Sequence, residues 1–267
     1  MIKYGFIGIG NMGGAIAMAA AKSVNPTQIM VAAKHSSSAR KFAEKYGVTA
    51  GDNLTIAREA KYVVLGVKPQ FMEEVLEELL PVLKLRKGVI LVTMAAGLTM
   101  KNISDLAGGD YPVIRIMPNI PVQVGQGVIL YDANELVGRE DLEEFLKAME
   151  PAGLLDHLPE RLIDAGSAVA GCGPAFASLF AEALADGGVA CGLPRRKALE
   201  YAVQMLLGSA KLLLEAGENP GILKDAVCSP GGSTIQGVRA LENGCFRGTI
   251  MEAVIAAYEK NKEFARE

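Results

Sequence analysis

The residues YGFIGIGNMGG, Tyr4–Gly14, set the expected architecture. A short apolar run ends in the spacing G-x-G-x-x-G at Gly8, Gly10 and Gly13, and an alanine-rich helix is predicted over Met12–Lys22. In a nucleotide-binding turn the first glycine allows the tight turn, the second lets the backbone approach a pyrophosphate, and the third lets helix and strand pack closely. The free amides at the helix start would hold the anion. A glycine-rich turn without a ligand has the same spacing, but the position at the start of a βαβ unit favours a dinucleotide site.

Short apolar runs and amphipathic stretches alternate through the first half of the chain. Further strands are predicted over Gln28–Ala33, Tyr62–Val67, Val89–Val92 and Val113–Met117. Helices are predicted over Ser37–Lys45 and over Gln70–Leu83, the second with an apolar face made of Phe71, Val75, Leu76, Leu79 and Leu83. This alternation predicts an α/β fold with a mostly parallel, doubly wound sheet of the Rossmann type covered by helices. Such sheets bind ligands at the carboxyl ends of their strands.

The end of the second predicted strand bears on the choice of cofactor. NAD sites usually place an acidic residue there to bind the ribose hydroxyls, but this chain has no Asp or Glu before Glu44. The residues AKHSSSAR, Ala33–Arg40, offer cations and hydroxyls instead. Lys34 and Ser36 suit a 2′-phosphate, which favours NADPH, with NADH as the alternative. The serines would also serve as helix caps beside solvated cations, and both interpretations hold together because amides at a helix start attract phosphate.

Two more predicted strands end at the same edge of the sheet. The turns after them are GVKP at Gly66–Pro69 and TMAAG at Thr93–Gly97. Small residues and a proline fit a groove for a flat cofactor, but any tight turn uses the same residues.

The second half of the chain is predicted to be helical. The strand pattern stops near Leu162, and long helices are predicted over Pro174–Val189, Pro194–Ala216 and Thr249–Ala265. We therefore expect a dinucleotide-binding domain over residues 1–161 and an all-α domain over residues 162–267. Helices so rich in Ala, Leu and Gly predict packing against a second copy of the chain, and a self-contained bundle is the alternative.

The stretch SPGGSTI, Ser229–Ile235, has no acid, base or aromatic residue, and it separates two helices predicted over Leu223–Cys228 and Gln236–Asn243. Gly231 and Gly232 free the backbone for unusual angles. Ser233 and Thr234 would then bring bare amides and hydroxyls to a helix start, an arrangement that binds carboxylates. A plain turn with Ser233 or Thr234 as the N-cap is the alternative.

Composition excludes several classes of protein. Half of the 267 residues are hydrophobic and 21% are charged, which is typical of a globular chain. The net charge of −3 argues against nucleic acid or an anionic membrane as the main partner. The start does not resemble a signal peptide, and the longest uncharged stretch, Ala165–Ala181, is short for a membrane span and interrupted by glycine and proline. We expect a cytoplasmic protein.

The cysteines do not predict a metal site or a disulfide framework. They are scattered at Cys172, Cys191, Cys228 and Cys245, and the chain has two histidines. We expect free thiols in a reducing compartment.

Four pieces of the chain, in family order and spanning nearly all of it, are similar to pyrroline-5-carboxylate reductases. The most specific is LKDAVCSPGGSTI at Leu223–Ile235, and the others are GFIGIGNM at Gly5–Met12, VKPQ at Val67–Gln70 and AGCGPAF at Ala170–Phe176. The resemblance implies reduction of 1-pyrroline-5-carboxylate to L-proline by NAD(P)H, the last step of proline biosynthesis. It also implies an N-terminal Rossmann domain and an all-helical dimerisation domain, with the dimers often arranged in a ring.

The resemblance also implies site residues. The substrate carboxylate would lie on the glycine turn, and the Thr234 hydroxyl would lie near the ring nitrogen as the catalytic group. Substrate contacts are expected at Ser229, Gly231, Gly232, Ser233 and Thr234. Cofactor contacts are expected at Ile7, Gly8, Ile9, Gly10, Asn11, Met12, Asn53, Val67, Lys68, Pro69, Ala95, Ala96 and Gly97, in addition to Lys34 and Ser36.

A loop without an acid or base fits this chemistry. A protonated cyclic imine is already a good hydride acceptor, so catalysis by positioning needs no nucleophile. The chain departs from the family in having Cys172 where members often have Ser and Phe176 where they often have Tyr, which leaves Phe176 a packing role.

Three rivals differ in the residues that they require. A β-hydroxyacid dehydrogenase-like enzyme would need a catalytic lysine after the glycine-rich helix start, but Gly171–Ala185 contains none. A non-enzymatic NADP-binding regulator would have no use for the Ser229–Thr234 turn. A reductase of a related cyclic imine acid with another ring size remains open, because ring fit depends on the shape of the pocket.

Overall fold

The computed structural model describes residues 1–264. Contacts divide the chain into two units, one made of Met1–Cys172 with the chain from Ala257 on, and one made of Gly173–Ala256. The expected domain boundary between residues 161 and 162 stays a prediction.

The first unit is built on an eight-stranded sheet in the order β3-β2-β1-β4-β5-β6-β7-β8. The strands are β1 Tyr4–Ile7, β2 Ile29–Ala32, β3 Thr49–Ala50, β4 Tyr62–Leu65, β5 Ile90–Thr93, β6 Val113–Pro118, β7 Gly127–Ala133 and β8 Gly153–His157. Neighbouring strands run parallel except β6 and β7, which run antiparallel. The predicted α/β class and doubly wound sheet are confirmed.

Helices cover both faces of this sheet. They are α1 Asn11–Ala20, α2 Ser36–Tyr46, α3 Asn53–Glu59, α4 Met72–Leu83, α5 Met100–Leu106, α6 Arg139–Met149 and α7 Glu160–Ala170. Successive residues of β4 belong to two different hydrophobic clusters. Tyr62 and Val64 pack in the cluster on one face of the sheet, and Val63 and Leu65 pack in the cluster on the other. A sheet buried on both faces favours apolar residues at most strand positions, so its central strands are near-continuous apolar runs.

The apolar face predicted for the helix over Gln70–Leu83 is wrong at its first residue, Phe71. Leu76, Leu79 and Leu83 are buried, as expected, but Phe71 is 44% exposed. Phe71 precedes α4, in a short 3₁₀ turn over Pro69–Phe71, so its side chain does not continue the helical stripe.

A polar cluster joins α6 to the starts of β1 and β4. The Glu144 carboxylate pairs with the ammonium groups of Lys3 and Lys61 and accepts a hydrogen bond of 2.9 Å from the Tyr62 hydroxyl. Burial alone would raise the pKa of Glu144, but these hydrogen bonds outweigh it and lower the pKa to about 2. Burial, together with the bond to Glu144, raises the pKa of Tyr62.

A buried arginine joins α7 to the sheet. Arg115, on β6, is 1% exposed; its Nη2 lies 2.7 Å from Asp164 Oδ1 and its Nη1 lies 3.4 Å from Glu160 Oε1. Its Nε is buried and has no hydrogen-bond partner within residues 1–264. Removing both acids would leave an uncompensated buried charge, which typically costs about 3–5 kcal/mol.

The second unit is made of helices that bury little of their apolar surface. They are α8 Gly173–Ala190, α9 Arg195–Ala216, α10 Pro220–Val227, α11 Ser233–Asn243 and the first part of α12 Phe246–Phe264; Ala265, the last residue of the predicted helix there, lies outside the described residues. Within Gly173–Ala256 the buried hydrophobic residues are four alanines, Ala181, Ala185, Ala198 and Ala202. Large side chains such as Leu179, Leu207 and Leu214 are more than half exposed.

One helical stretch of the described chain, Glu160–Ala190, is long and apolar enough to cross a membrane by length and composition alone. The helix assignment is interrupted at Gly171 and Cys172, between α7 and α8. A helix whose apolar face packs against protein passes the same test, so the stretch does not establish a membrane span.

Candidate cofactor and substrate sites

The glycine turn after β1 is closely packed against the end of β4. Gly8 has φ +90°, a conformation that L side chains rarely adopt. A Cβ on Gly13 would overlap the Gly8 carbonyl oxygen, and so would a Cβ on Gly66. The expected close packing at Gly13 is therefore present, and Gly66 is a third member of this contact.

Gly10 has the opposite surroundings. A Cβ at this position would meet no atom of the described chain within 4 Å. Gly10 is the N-cap of α1, it has no capping side chain, and the first turn of the helix carries no acidic residue. The amides at this helix start consequently face open space, as an anion site requires.

A cavity of about 210 Å³ lies beside this turn. Five of the residues expected to contact the cofactor line it, from the ends of β1, β2 and β4 and the start of α3: Ile7, Gly8, Lys34, Asn53 and Val67. The remaining lining residues are Ala33, Phe71, Glu74, Val75 and Glu78. The cavity lies where ligands of doubly wound sheets bind, outside the carboxyl ends of the strands.

The sequence did not predict that residues of α4, and Phe71 just before it, line the cavity. The Lys34 Nζ lies 5.8 Å from the centre of the Phe71 ring. The exposed fraction of Phe71 reflects this position at the cavity, where its ring is available to a flat group. The periodicity of the predicted helix placed Val75 on its apolar face, but it did not indicate that Val75 lines a cavity.

The expected 2′-phosphate residues cluster at the start of α2. The helix begins at Ser36, and its N-cap, His35, makes no side-chain capping bond. Arg40 Nη2 donates to Ser36 Oγ at 3.2 Å. Lys34, Ser36 and Arg40 are all exposed, so their charges and hydroxyls are available to a ligand.

Asn53 is held at the start of α3. The preceding residue, Asp52, caps this helix by accepting a 2.7 Å bond from the Thr55 amide. This backbone hydrogen bond lowers the pKa of Asp52. On the cavity side, Asn53 Nδ2 donates to Glu78 Oε2 at 2.8 Å.

Ten expected cofactor residues do not line the cavity. Ala95 is 2% exposed and packs in the core, with its amide 3.3 Å from the Thr93 hydroxyl. Gly97 is buried with φ +78°. The others are Ile9, Gly10, Asn11, Met12, Ser36, Lys68, Pro69 and Ala96.

In the second unit, the expected substrate residues form a turn and a helix start. The Gly232 amide donates to the Ser229 carbonyl at 3.0 Å, and Gly231 has φ +71°. Pro230 and Gly231 are the two central residues between Ser229 and Gly232. This pattern fits a type II turn, which requires a positive φ at its third residue. A Cβ on Gly232 would overlap the Ser229 hydroxyl, so a larger residue there would have to displace that side chain.

The alternative that Ser233 or Thr234 is the N-cap of the next helix is wrong. Gly232 is the N-cap of α11, without a side-chain capping bond, and Ser233 and Thr234 occupy the first turn. Both side chains are exposed within the chain. The turn therefore presents free backbone amides beside two hydroxyls, which is an arrangement suited to a carboxylate.

Comparison with known proteins agrees with both units. Residues 160–264 match the family model for pyrroline-5-carboxylate reductase dimerisation, and residues 3–97 match the model for NADP oxidoreductase, coenzyme F420-dependent. A pyrroline-5-carboxylate reductase of Glycine max is 41% identical over 98% of this chain and 95% of its own.

Solved structures give the same result. The pyrroline-5-carboxylate reductase of Coxiella burnetii has a TM-score of 0.90 and 32% identity, covering 99% of this chain and 98% of its own. A pyrroline carboxylate reductase of Plasmodium falciparum, solved with NADP bound, has a TM-score of 0.87 and 30% identity over the same shares.

The fold, the glycine turn and these matches define an NAD(P)-dependent oxidoreductase that carries a dimerisation domain. More particularly, the chain belongs to the pyrroline-5-carboxylate reductase family.

Proposed function

We propose that this protein transfers a hydride from NADPH to the C=N bond of 1-pyrroline-5-carboxylate, giving L-proline in the last step of proline biosynthesis. The observation that carries the proposal is the turn Ser229–Gly232, which leads into the start of α11 without a capping side chain. A carboxylate bound there would accept from the amides that a cap would otherwise occupy.

The residues of this turn bind and orient the substrate. Ser229, Gly231, Gly232 and Ser233 hold the carboxylate, and the adjacent Thr234 hydroxyl accepts from the protonated ring nitrogen. When bound, NADPH supplies the hydride. No side chain has to act as nucleophile, since the protonated imine is already electrophilic and the chain contributes positioning.

The residues of the first unit fit a dinucleotide. The open space at Gly10 and the amides of α1 suit the pyrophosphate. The cavity lined by Gly8, Lys34 and Asn53 suits the adenosine half. We assign further cofactor contacts to Ile7, Ile9, Asn11, Met12, Val67, Lys68, Pro69, Ala95, Ala96 and Gly97.

NADPH is the preferred cofactor in this proposal. Lys34, Ser36 and Arg40 offer two cations and a hydroxyl next to an uncapped helix start, which favours a dianionic phosphate. NADH lacks that phosphate and would bind with the remaining contacts.

The second unit forms the dimer in this proposal. Its four buried alanines cannot supply a core for helices that expose so many large apolar side chains. A partner subunit would cover these exposed side chains. Assembly of such dimers into a ring, a cytoplasmic location and a domain boundary at residues 161–162 belong to the same proposal.

The test is oxidation of NADPH, and separately of NADH, by the purified protein with 1-pyrroline-5-carboxylate. A six-membered cyclic imine acid, and a 3-hydroxy acid with NADP⁺, serve as comparison substrates. Fast turnover of the five-membered ring supports the proposal. Faster turnover of another substrate would refute it, and sedimentation of the same sample tests the dimer.

A further inference from the structure

Two residues that line the cavity, one from α3 and one from α4, form a hydrogen bond whose direction is fixed by chemistry. Asn53, at the start of α3, donates from Nδ2 to Oε2 of Glu78, on α4, at 2.8 Å. Both side chains line the cavity of about 210 Å³. An ionised carboxylate only accepts hydrogen bonds, so the Asn53 amide must turn its NH₂ group toward Glu78.

This bond determines what Asn53 presents to a ligand. An amide has one donor end and one acceptor end. With the donor end on Glu78, the carbonyl oxygen Oδ1 is left as an acceptor. The backbone of Asn53 is fixed separately by the Asp52 cap, so Glu78 controls the rotation of the side-chain amide and not the position of the helix.

A neutral acceptor suits this location. The adenosine half of a dinucleotide carries hydrogen-bond donors, the ribose hydroxyls and the adenine amino group. A carboxylate in direct contact with the ribose would repel a 2′-phosphate, whereas an amide oxygen accepts the same donors without a charge. The pair Asn53–Glu78 therefore supplies the acceptor that the chain lacks at the end of β2, in a form that tolerates the phosphate.

We propose that Glu78 is a positioning residue of the cofactor site, which holds the Asn53 amide so that its Oδ1 accepts a hydrogen bond from the adenosine half of NAD(P)H. The inference rests on the proposed function for the identity of the ligand.

The experiment compares Glu78→Gln, Asn53→Asp and the double variant Asn53→Asp/Glu78→Gln with the parent protein. Glu78→Gln lets the amide rotate, and Asn53→Asp sets two carboxylates against each other. We expect each to raise the KM and the Kd for NADPH about three- to tenfold, the scale of one hydrogen bond, while kcat and the KM for the imine stay within about twofold.

The double variant separates positioning from a structural role. It pairs an amide donor at position 78 with a carboxylate at position 53 whose second oxygen still accepts, and the charge of the pair is unchanged. We expect it to recover most of the affinity that Asn53→Asp loses for NADH, which lacks the 2′-phosphate that a carboxylate at position 53 would repel. Glu77→Gln, on an exposed position of the same helix outside the cavity lining, removes one charge and is expected to leave the Kd unchanged.

The Kd values are measured by titrating NADPH, and separately NADH, against the purified protein, which does not require turnover, and thermal unfolding checks each variant. An unchanged Kd for NADPH in Glu78→Gln, or a double variant that binds NADH no better than Asn53→Asp does, would overturn the inference. A parent protein that binds NADPH but does not reduce the imine would instead refute the proposed function and leave this test valid.

Discussion

Substituting two glycines of one turn should give opposite results. Gly10 and Gly13 both belong to the G-x-G-x-x-G spacing, but their surroundings differ. A Cβ on Gly10 meets nothing within 4 Å, and a Cβ on Gly13 overlaps the backbone oxygen of Gly8. We therefore expect Gly13→Ala to damage the fold and Gly10→Ala to damage cofactor binding.

The magnitudes follow from the two positions. At Gly13 the obstacle is backbone, which cannot rotate aside, so overpacking should cost about 3 kcal/mol. Alanine in a helix recovers about 1 kcal/mol over glycine, and the net loss of about 2 kcal/mol should lower Tm by about 4–8 °C. Gly10 has φ −66°, which alanine adopts freely, so Gly10→Ala should change the stability by less than about 1 kcal/mol.

Cofactor binding should respond in the reverse order. A methyl group at Gly10 would occupy the space assigned to the pyrophosphate, and we expect Gly10→Ala to raise the Kd for NADPH at least about tenfold, or about 1.4 kcal/mol. Thermal unfolding and NADPH titration of the two variants measure both effects. Normal NADPH binding by Gly10→Ala would show that the pyrophosphate does not cross this residue, and an unchanged Tm in Gly13→Ala would refute the packing argument.

Three further substitutions test other parts of the protein. Thr234→Ala should lower kcat about tenfold or more, the scale of a hydrogen bond to a charged group, with the Kd for NADPH unchanged and recovery in Thr234→Ser; unchanged turnover would leave Thr234 without a catalytic role. Lys34→Ala should raise the KM for NADPH about tenfold and the KM for NADH less than about twofold, and equal changes for both cofactors would remove Lys34 from phosphate recognition. Glu144→Gln should lower the free energy of unfolding by about 1–2 kcal/mol at neutral pH, after allowance for partial exposure. Because the folded pKa is about 2 and the ordinary value is 4.5, this contribution is present above pH 4.5 and should be lost as pH falls toward 2, so a difference from the parent that persists at pH 2 would contradict the assignment.

The sequence predicted the central strands because burial on both faces leaves a local signal. The strand residues of β1, β2, β4, β5 and β6 are buried without exception, and each strand is visible as an apolar run, which Arg115 interrupts in β6. The outer strands lack that signal. The two residues of β3 are too few for a pattern, and β8 is at the sheet edge with Leu154 61% exposed. Helices α3 and α5 have seven residues each, which is too short for helical periodicity.

The candidate sites were predictable to the extent that their residues are neighbours in the chain. The glycine turn and SPGGSTI are each continuous, so the spacing of the glycines indicated the first and a family resemblance indicated the second. The part of the cavity formed by α4 is distant in the sequence from the rest of the site. Glu78 accepts a hydrogen bond from Asn53, 25 residues away, and a carboxylate on an amphipathic helix predicts only a solvated side chain. Tertiary contact decides its role, and no local pattern carries that information.

The start of α11 shows what the structure adds to two interpretations that the sequence leaves open. A hydroxyl residue after a glycine pair predicts a cap as readily as a ligand contact. A capping Ser or Thr turns its oxygen back onto its own helix, where it is no longer free for a substrate. With Gly232 as the cap, Ser233 and Thr234 occupy the first turn without capping bonds, and the unprotected amides remain available. This loss of a capping hydrogen bond, about 1 kcal/mol by comparison with capped helices, is recovered when a carboxylate accepts from the same amides, which favours a ligand at this turn over a plain connection between helices.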